Sequence, residues 1–364
     1  MLTRFASPRL VIRLARTSEA ARHYVLRLHQ LLAPPPAVIT EMIVSGWTAQ
    51  AITAAADLKV ADALAAGPLS VEALARDVGA DPDALDRLMR ALVSRVVFAQ
   101  RRDGRYRLNA LAETLRSDTP VSLAGAARFY GSRLHREDLS MLTASVQTGE
   151  SGFEKLRGMD FWEFLATTPE LAELFNQAMT SLSKMSAPVI AAAYDFTPFR
   201  TVVDVGGGQG RLLAAILDVA PGARGVLFDL PDVVAEAPAL LRQLGVGGRV
   251  DIVGGSFFDS APEGDVYVLK HVIHDWGDDD AVSILRNIRS AAPGDAVILL
   301  AEIVIPQHHR ENLGKLLDLE MLIGGEARER TAEQYRRLLD RAGLRMTRIL
   351  PTAGPHSLIE ARSA

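Results

Sequence analysis

Residues 268–280 read VLKHVIHDWGDDD: an apolar run that breaks into two histidines, an aspartate, a tryptophan and three further acids. Imidazole is the side chain whose ordinary pKa, about 6.5, lets it take or give a proton near neutrality. His271 and His274 stand three apart, which leaves three readings: a metal pair, a general base with its supports, or polar groups at a strand end. The Tyr-Val-Leu before them argues for a strand, on which residues three apart point to opposite faces. A shared metal is therefore disfavoured, and no metal site is expected. His271 is read as structural. Asp278–Asp280 are read as the solvated cap and first turn of the next helix. The chain has no cysteine, which excludes thiol nucleophiles, disulfides and cysteine metal sites.

A second stretch with chemical content is TVVDVGGGQGRLLAAILDVAPG, residues 201–222, which reads as strand, glycine turn and helix. Gly206, Gly207, Gly208 and Gly210 let a ligand approach the backbone just ahead of a helix N-terminus. Asp229 follows Gly210 by 19 residues, at the end of the next strand, where a carboxylate can grip a ribose hydroxyl. A dinucleotide site has similar glycines, and so does a turn that binds nothing. Two details favour S-adenosylmethionine (SAM). The spacing is G-x-G-x-G rather than G-x-G-x-x-G. Asp204, just before the loop, would repel a pyrophosphate but suits a ligand carrying a sulfonium and an ammonium.

These residues need a frame. TVVDV, ARGVLFDLP, RVDIVGGSFF, DVYVLKHVI and AVILLAEIVI read as strands, with helical VVAEAPALLRQL and DDAVSILRNIRSAA between them. That alternation predicts an α/β fold with right-handed crossovers and a doubly wound, mostly parallel sheet. RMTRILPTA and HSLIEARS read as an antiparallel edge hairpin. Ligands bind such sheets outside the carboxyl ends of the strands, which gathers Asp204–Gly210, Asp229, Ser256 and His274.

The first half is different. From Val38 to about Thr119 it is helical and alanine-rich, with Ser70 and Asp81-Pro82 as helix starts. VVFAQ, a DG turn at 103–104 and RYRL then read as a hairpin, so residues 38–119 form a winged-helix-like domain. A DNA-binding use is disfavoured, because Asp81, Asp83 and Asp86 put acid where phosphates would lie. Residues 120–198 read as further helices, with a stripe containing Asn176, Met179 and Ser183 that either forms core or lines a pocket. Residues 1–37 are a basic extension, its first 32 residues carrying six Arg and one Glu, closed by APPPA. It is read as a solvated extension or an arm on a partner subunit, with a membrane-surface helix as the competing reading. The net charge is −4 with pI near 6.1, which gives no drive toward nucleic acid or anionic membrane. No apolar run approaches the ~18–20 residues of a membrane helix. A cytoplasmic location is expected.

LFNQAM, DVGGGQGRLLAAIL, FDLPDVV, LKHVIHDWGDDDAVSILRNIR, AEIVIP and RERTAEQYRRLLDRAGL follow one another in this order. Together they resemble the SAM-dependent O-methyltransferases of the plant caffeate/hydroxyindole type, which include bacterial small-molecule enzymes. The resemblance runs from about residue 38 to the C-terminus. It implies a class I, Rossmann-like methyltransferase domain over 199–364 behind a helical, winged-helix dimerisation domain. It also implies an intertwined homodimer whose partner helices close the pocket, SAM as cofactor leaving as S-adenosylhomocysteine, and a hydroxylated small-molecule acceptor. By the same resemblance His274 is the general base, flanked by Glu302 and Glu329. Asp204, Gly206, Gly208, Asp229, Leu230, Ser256, Phe257, Lys270 and Ser183 fall around the cofactor. Phe175, Asn176, Met179, Asp275 and Met321 fall around the acceptor. The chain departs from the pattern at Ser256, where many members carry an acid, and in a short connection between Met321 and Glu329. SAM-binding relatives with non-methylating chemistry such as hydroxylation are the alternative, and a winged-helix regulator is a further one.

Overall fold

The structure, a computed structural model, describes residues 8–364, so the first seven residues of the basic extension lie outside the described residues. A helix runs from Pro8 to Leu31 and a second from Pro35 to Asp57. The chain divides into two compact units.

The smaller unit holds residues 25–140 and 159–185. Its helices Val71–Val78 and Pro82–Ser94 are followed by a hairpin of β1 (Ala99–Gln100) and β2 (Tyr106–Arg107), the winged-helix order expected. Each helix opens as the sequence requires. Ser70 Oγ accepts the Ala73 N–H, and Asp81 Oδ1 accepts that of Ala84 at 2.8 Å, with Pro82 in the first turn. Asp86 accepts the Tyr106 hydroxyl at 2.6 Å and pairs with Arg90 at 2.9 Å. Two of the three acids that count against a DNA surface are thus used to build the unit itself. Leu74, Leu85, Met89, Leu92, Phe98 and Tyr106 fill its core.

The larger unit is built on a seven-stranded sheet. Its strands are β3 (Thr201–Val205), β4 (Arg224–Asp229), β5 (Val250–Gly254), β6 (Val266–Lys270), β7 (Val297–Glu302), β10 (Leu344–Pro351) and β11 (Ser357–Ser363). The order is β10-β11-β7-β6-β3-β4-β5; β3 to β7 are parallel and the final hairpin is antiparallel. Short β8 (Val304–Ile305) pairs with β9 (Arg330–Thr331) beside it. The strand order reverses between β3 and β6, the position at which such sheets open a ligand crevice.

Period-two alternation sorts the side chains. Val202 and Val268 face one core layer; Val203, Tyr267, Leu269, Ile298 and Leu300 face the other. Continuing the alternation puts Asp204 and Lys270 on the first face and Glu302 on the second. Every residue of β7 is buried, Glu302 included, so a carboxyl group ends a fully apolar strand. Among the described residues no helix is long and apolar enough to cross a membrane.

Candidate active site

β6 stops sooner than DVYVLKHVI suggests. His271 adopts a left-handed φ of 54°, which breaks the strand after Lys270. Ile273–Asp275 then form a single 3-10 turn. The expectation that His271 and His274 point to opposite faces is overturned: their rings meet edge to face with centroids 4.6 Å apart. His271 Nε2 meets Nε2 of His356.

The turn carrying His274 is tied from two sides. Glu302 Oε1 accepts the N–H groups of Val272 at 3.3 Å and Ile273 at 3.0 Å. On the other side the short connection after Met321 folds straight onto the turn. Arg328 N donates to the His274 carbonyl at 2.8 Å. Arg330 is buried and donates to the carbonyls of Ile273 at 2.9 Å and Trp276 at 2.8 Å. Its guanidinium also meets Asp278 Oδ1 at 2.7 Å. Asp278 is therefore more than a solvated cap: it neutralises the arginine that holds the turn, while Gly277 takes the cap position.

His274 itself is buried among acids. Nδ1 lies 3.0 Å from Glu302 Oε2 and 3.6 Å from Glu329 Oε1, and Nε2 lies 3.1 Å from Asp275 Oδ1. Glu329 Oε2 and the Tyr335 hydroxyl are buried without a hydrogen-bond partner among the described residues. Asp318 Oδ1 accepts the Glu329 N–H at 2.9 Å, which fixes Glu329 against the helix Leu313–Gly324 that also carries Met321. His274, Glu302 and Glu329 have ligand atoms within 4.8 Å of one another, close enough for a proton or a small cation to be shared.

These surroundings move the proton equilibria. Burial alone would lower the His274 pKa, but the charges of Asp275 and Glu302 outweigh it and hold the imidazole well above its ordinary 6.5. Burial pushes Glu329 up to about 8, against the pull of His274, so it keeps its proton at neutral pH. His271 moves the other way: burial first, then the neighbouring His274, His356 and Lys270, hold it well below its ordinary value. His356 is pushed to about 3 by burial and by Lys270 and His274.

The glycine loop follows β3. Gly206, Gly208 and Gly210 all have positive φ, and Gly210 precedes the helix Arg211–Val219. Two of these places need glycine for different reasons. A Cβ on Gly206 would meet Val272 Cγ2 at 2.7 Å, while Gly208 has open space beside it but a left-handed backbone. Asp229 closes the loop by accepting Gly208 N–H at 2.8 Å on one oxygen and Leu230 N–H at 2.7 Å on the other. Asp204 lies beneath the loop, where its Oδ2 accepts the Leu213 N–H at 3.2 Å. Burial pushes it to about 7, with Lys270 pulling the other way. It supports the loop from below and is 1% exposed, so it is not a lining group. Ser256 Oγ accepts the Phe258 N–H at 3.2 Å, and Phe257 packs on Trp276 at 6.0 Å. The donor set fits a cationic, phosphate-free cofactor: Asp229 and backbone groups line the loop, and buried Asp204 adds negative charge beneath it, with buried Lys270 near enough to pull on its proton.

Phe175, Asn176, Met179 and Ser183 lie on the helix Pro169–Ala191. Phe175 stacks edge to face with Phe129, Phe161 and Trp162, and Met179 packs in the same cluster, so both are at least partly core residues of the smaller unit. Asn176 is exposed and Ser183 half-buried. Sequence reasoning missed Arg330, Asp318, Tyr335 and His356. Arg330 was within reach, because it follows Glu329 inside RERT; the others carry no local signal.

Residues 41–118 match the O-methyltransferase dimerisation domain, and residues 139–345 match the O-methyltransferase domain. The phenazine O-methyltransferase PhzM of Lysobacter antibioticus is 41% identical over 330 residues, covering 90% of this chain and 96% of that protein. The mitomycin biosynthesis 6-O-methyltransferase of Streptomyces lavendulae is 40% identical over 329 residues, covering 90% and 94%. CalO1, a methyltransferase of calicheamicin biosynthesis solved with S-adenosylhomocysteine, superposes with a TM-score of 0.81 at 32% identity, covering 93% of this chain and 99% of that one. The likeness extends to nitrogen acceptors: an 8-amino-8-demethylriboflavin N,N-dimethyltransferase of Streptomyces davaonensis is 36% identical over 85% of this chain and 90% of its own. A Rossmann-like domain preceded by a dimerisation domain thus accounts for most of the chain, which belongs to the SAM-dependent O-methyltransferases.

Proposed function

We propose that this enzyme moves a methyl group to a hydroxyl, phenolic in the first instance, of a small-molecule secondary metabolite, with His274 as general base. One observation carries the reading. The His274 ring is held with Nδ1 against Glu302 and Nε2 against Asp275, on a turn between the glycine cradle and the end of β7. SAM, when bound, supplies a methyl group on a positively charged sulfur. The hydroxyl oxygen would take the methyl carbon as the carbon–sulfur bond yields its electron pair to sulfur, and His274 Nε2 would take the hydroxyl proton.

A phenol of pKa about 10 is a weak nucleophile at neutral pH, so removing its proton is a main task of the protein. The acids around His274 stabilise the imidazolium, the state the base reaches as the methyl moves. Glu302 would hold the tautomer, Asp275 would orient the hydroxyl, and Glu329 would act as a neutral hydrogen-bond donor. The remaining gain would come from alignment. Gly206, Gly208, Asp229, Leu230, Phe257 and Lys270 would line the cofactor side, and Met321 the acceptor side.

We further assign the chain as a homodimer. Besides its match to a dimerisation domain, the helix Pro35–Asp57 exposes Ile39, Met42, Ile43 and Trp47, the last two about three-quarters. The test of function is incubation with methyl-labelled SAM and a panel of hydroxylated phenazines, naphthoates and quinones, with aromatic amines as the nitrogen arm. Label in an ether is expected. Label only in amines, or an oxidised and unlabelled acceptor, would replace the reading.

A further inference from the structure

His271 and His356 are two buried or partly buried histidines that the methyl transfer does not use. His271 is one of three non-glycine residues with positive φ among the described residues. A side chain in the left-handed region is strained, and glycine would relieve that strain. The corner sits between the last residue of β6 and the turn carrying His274, so strain is placed next to the proposed base. Observed strain of this kind is a reason to ask what the side chain does.

The side chain makes two contacts. Its Nε2 meets Nε2 of His356, and its ring packs edge to face on His274 at 4.6 Å. His356 is 8% exposed and is held in its own right. Its carbonyl accepts from the backbone N–H and the hydroxyl of Thr352, at 3.2 and 2.8 Å, which closes the turn between β10 and β11. The next residue, Ser357, is the register partner of Glu302. The turn is therefore anchored to the strand that presents the carboxylate. One Nε2 of the pair must carry a hydrogen and the other a lone pair, so the two rings form a single N–H···N bond.

The restraints on His274 then divide. Glu302 and Asp275 hold the two ring nitrogens of His274, at 3.0 and 3.1 Å. The His271 ring meets the His274 ring nearly at right angles, with 80° between the planes, and stands in the way of any turn of that ring. We infer that His356 is a positioning residue for the methyl transfer: its bond to His271 pins the left-handed corner and, through the His271 ring, fixes the plane of His274. The inference rests on His274 being the base. Alignment errors near 1 Å can cost about 10²-fold in rate, so a loose ring would show in turnover.

The test compares His356→Phe, which keeps the ring volume, with His356→Gln, whose amide reaches the Nε2 position, and adds His271→Gly and His274→Gln. Turnover of the best acceptor in the panel is measured with SAM affinity, and nitrogen-detected NMR of the His274 ring in the S-adenosylhomocysteine complex reports its environment. His356→Phe is expected to lower kcat at least tenfold, with KM for SAM within threefold, and to shift the His274 signals. His356→Gln is expected to recover kcat to within threefold of wild type. His271→Gly, which removes strain and clamp together, is expected to fold and be slow. A folded His356→Phe or His271→Gly with wild-type turnover and unmoved His274 signals overturns the inference, as does a His356→Gln as slow as His356→Phe. If His274→Gln is as fast as wild type, the base reading is what has failed, whatever the pair does.

Discussion

Glu302 meets His274 and the two peptide groups before it with a single carboxyl group. Oε1 accepts the N–H groups of Val272 and Ile273, and Oε2 lies 3.0 Å from His274 Nδ1. One buried side chain at the end of β7 therefore shapes the turn and charges the ring it presents.

The two roles separate by mutation. Glu302→Gln keeps an oxygen for the backbone groups but removes the charge that stabilises the imidazolium. It is expected to fold, to bind SAM within threefold of wild type, and to lose about 10²-fold in kcat. Glu302→Ala also strands two buried N–H groups and is expected to lower stability by about 2–4 kcal/mol. Chemical denaturation beside steady-state kinetics checks both; equal stability in the two variants would show that the turn does not depend on Oε1.

The pH profile follows from the direction of the shifts. His274 is held well above 6.5, so its charged form is favoured and only its neutral fraction can accept a proton. The rate is expected to climb with pH about tenfold per unit below that raised pKa and to level off above it. A cationic cofactor adds positive charge nearby, so the acid limb of kcat should lie at lower pH than the free-enzyme titration of His274. Glu329, up at about 8, is protonated at neutral pH, and a glutamine mimics that form. Glu329→Gln should thus stay within threefold of wild type at pH 7 and diverge only above pH 8. A large loss at pH 7 would show that its charged form is the working one.

Arg330 holds the turn from the side opposite Glu302. Arg330→Met leaves the carbonyls of Ile273 and Trp276 without their donor and Asp278 without its cation. A loss of about 3 kcal/mol in stability and at least 10²-fold in kcat is expected, measured by thermal unfolding and turnover. Wild-type kinetics in a folded Arg330→Met would mean that Glu302 and Arg328 suffice to hold the turn.

The spacing of His274, Glu302 and Glu329 would also admit a cation, but a cation there would take the Nδ1 position that the proton holds in a working base. Extensive chelation is expected to leave turnover unchanged, and added zinc to lower it. Loss of activity on chelation, restored by a divalent ion, would reverse that assignment.

How much of this was legible in the sequence differs by scale. The sheet and its crevice follow from alternating apolar strands and glycine turns, because those patterns are local. Asp229 and the glycine loop could be placed for the same reason. The turn after Lys270 could not, because His271 adopts a φ that no propensity predicts and that only its contacts justify. Asp204 was placed correctly in the chain but not in space: it lies at a strand end beneath the loop, holding Leu213. Asp318 reaches Glu329, and His356 reaches His271, from distant parts of the chain, and such contacts leave no trace in residue spacing. The acid-rich setting of His274 was half readable, since Asp275 is adjacent and Glu302 ends a strand, but burial decides the protonation state, and burial is a tertiary property.

The central claim is that His274 removes the acceptor proton. The most direct measurement is kcat of His274→Gln on the best acceptor, beside its SAM affinity by calorimetry. A fall of about 10²–10⁴-fold in kcat with SAM affinity within threefold is the expected result. Unchanged kcat in the folded variant, or a loss of SAM binding large enough to explain the slower rate, would contradict it.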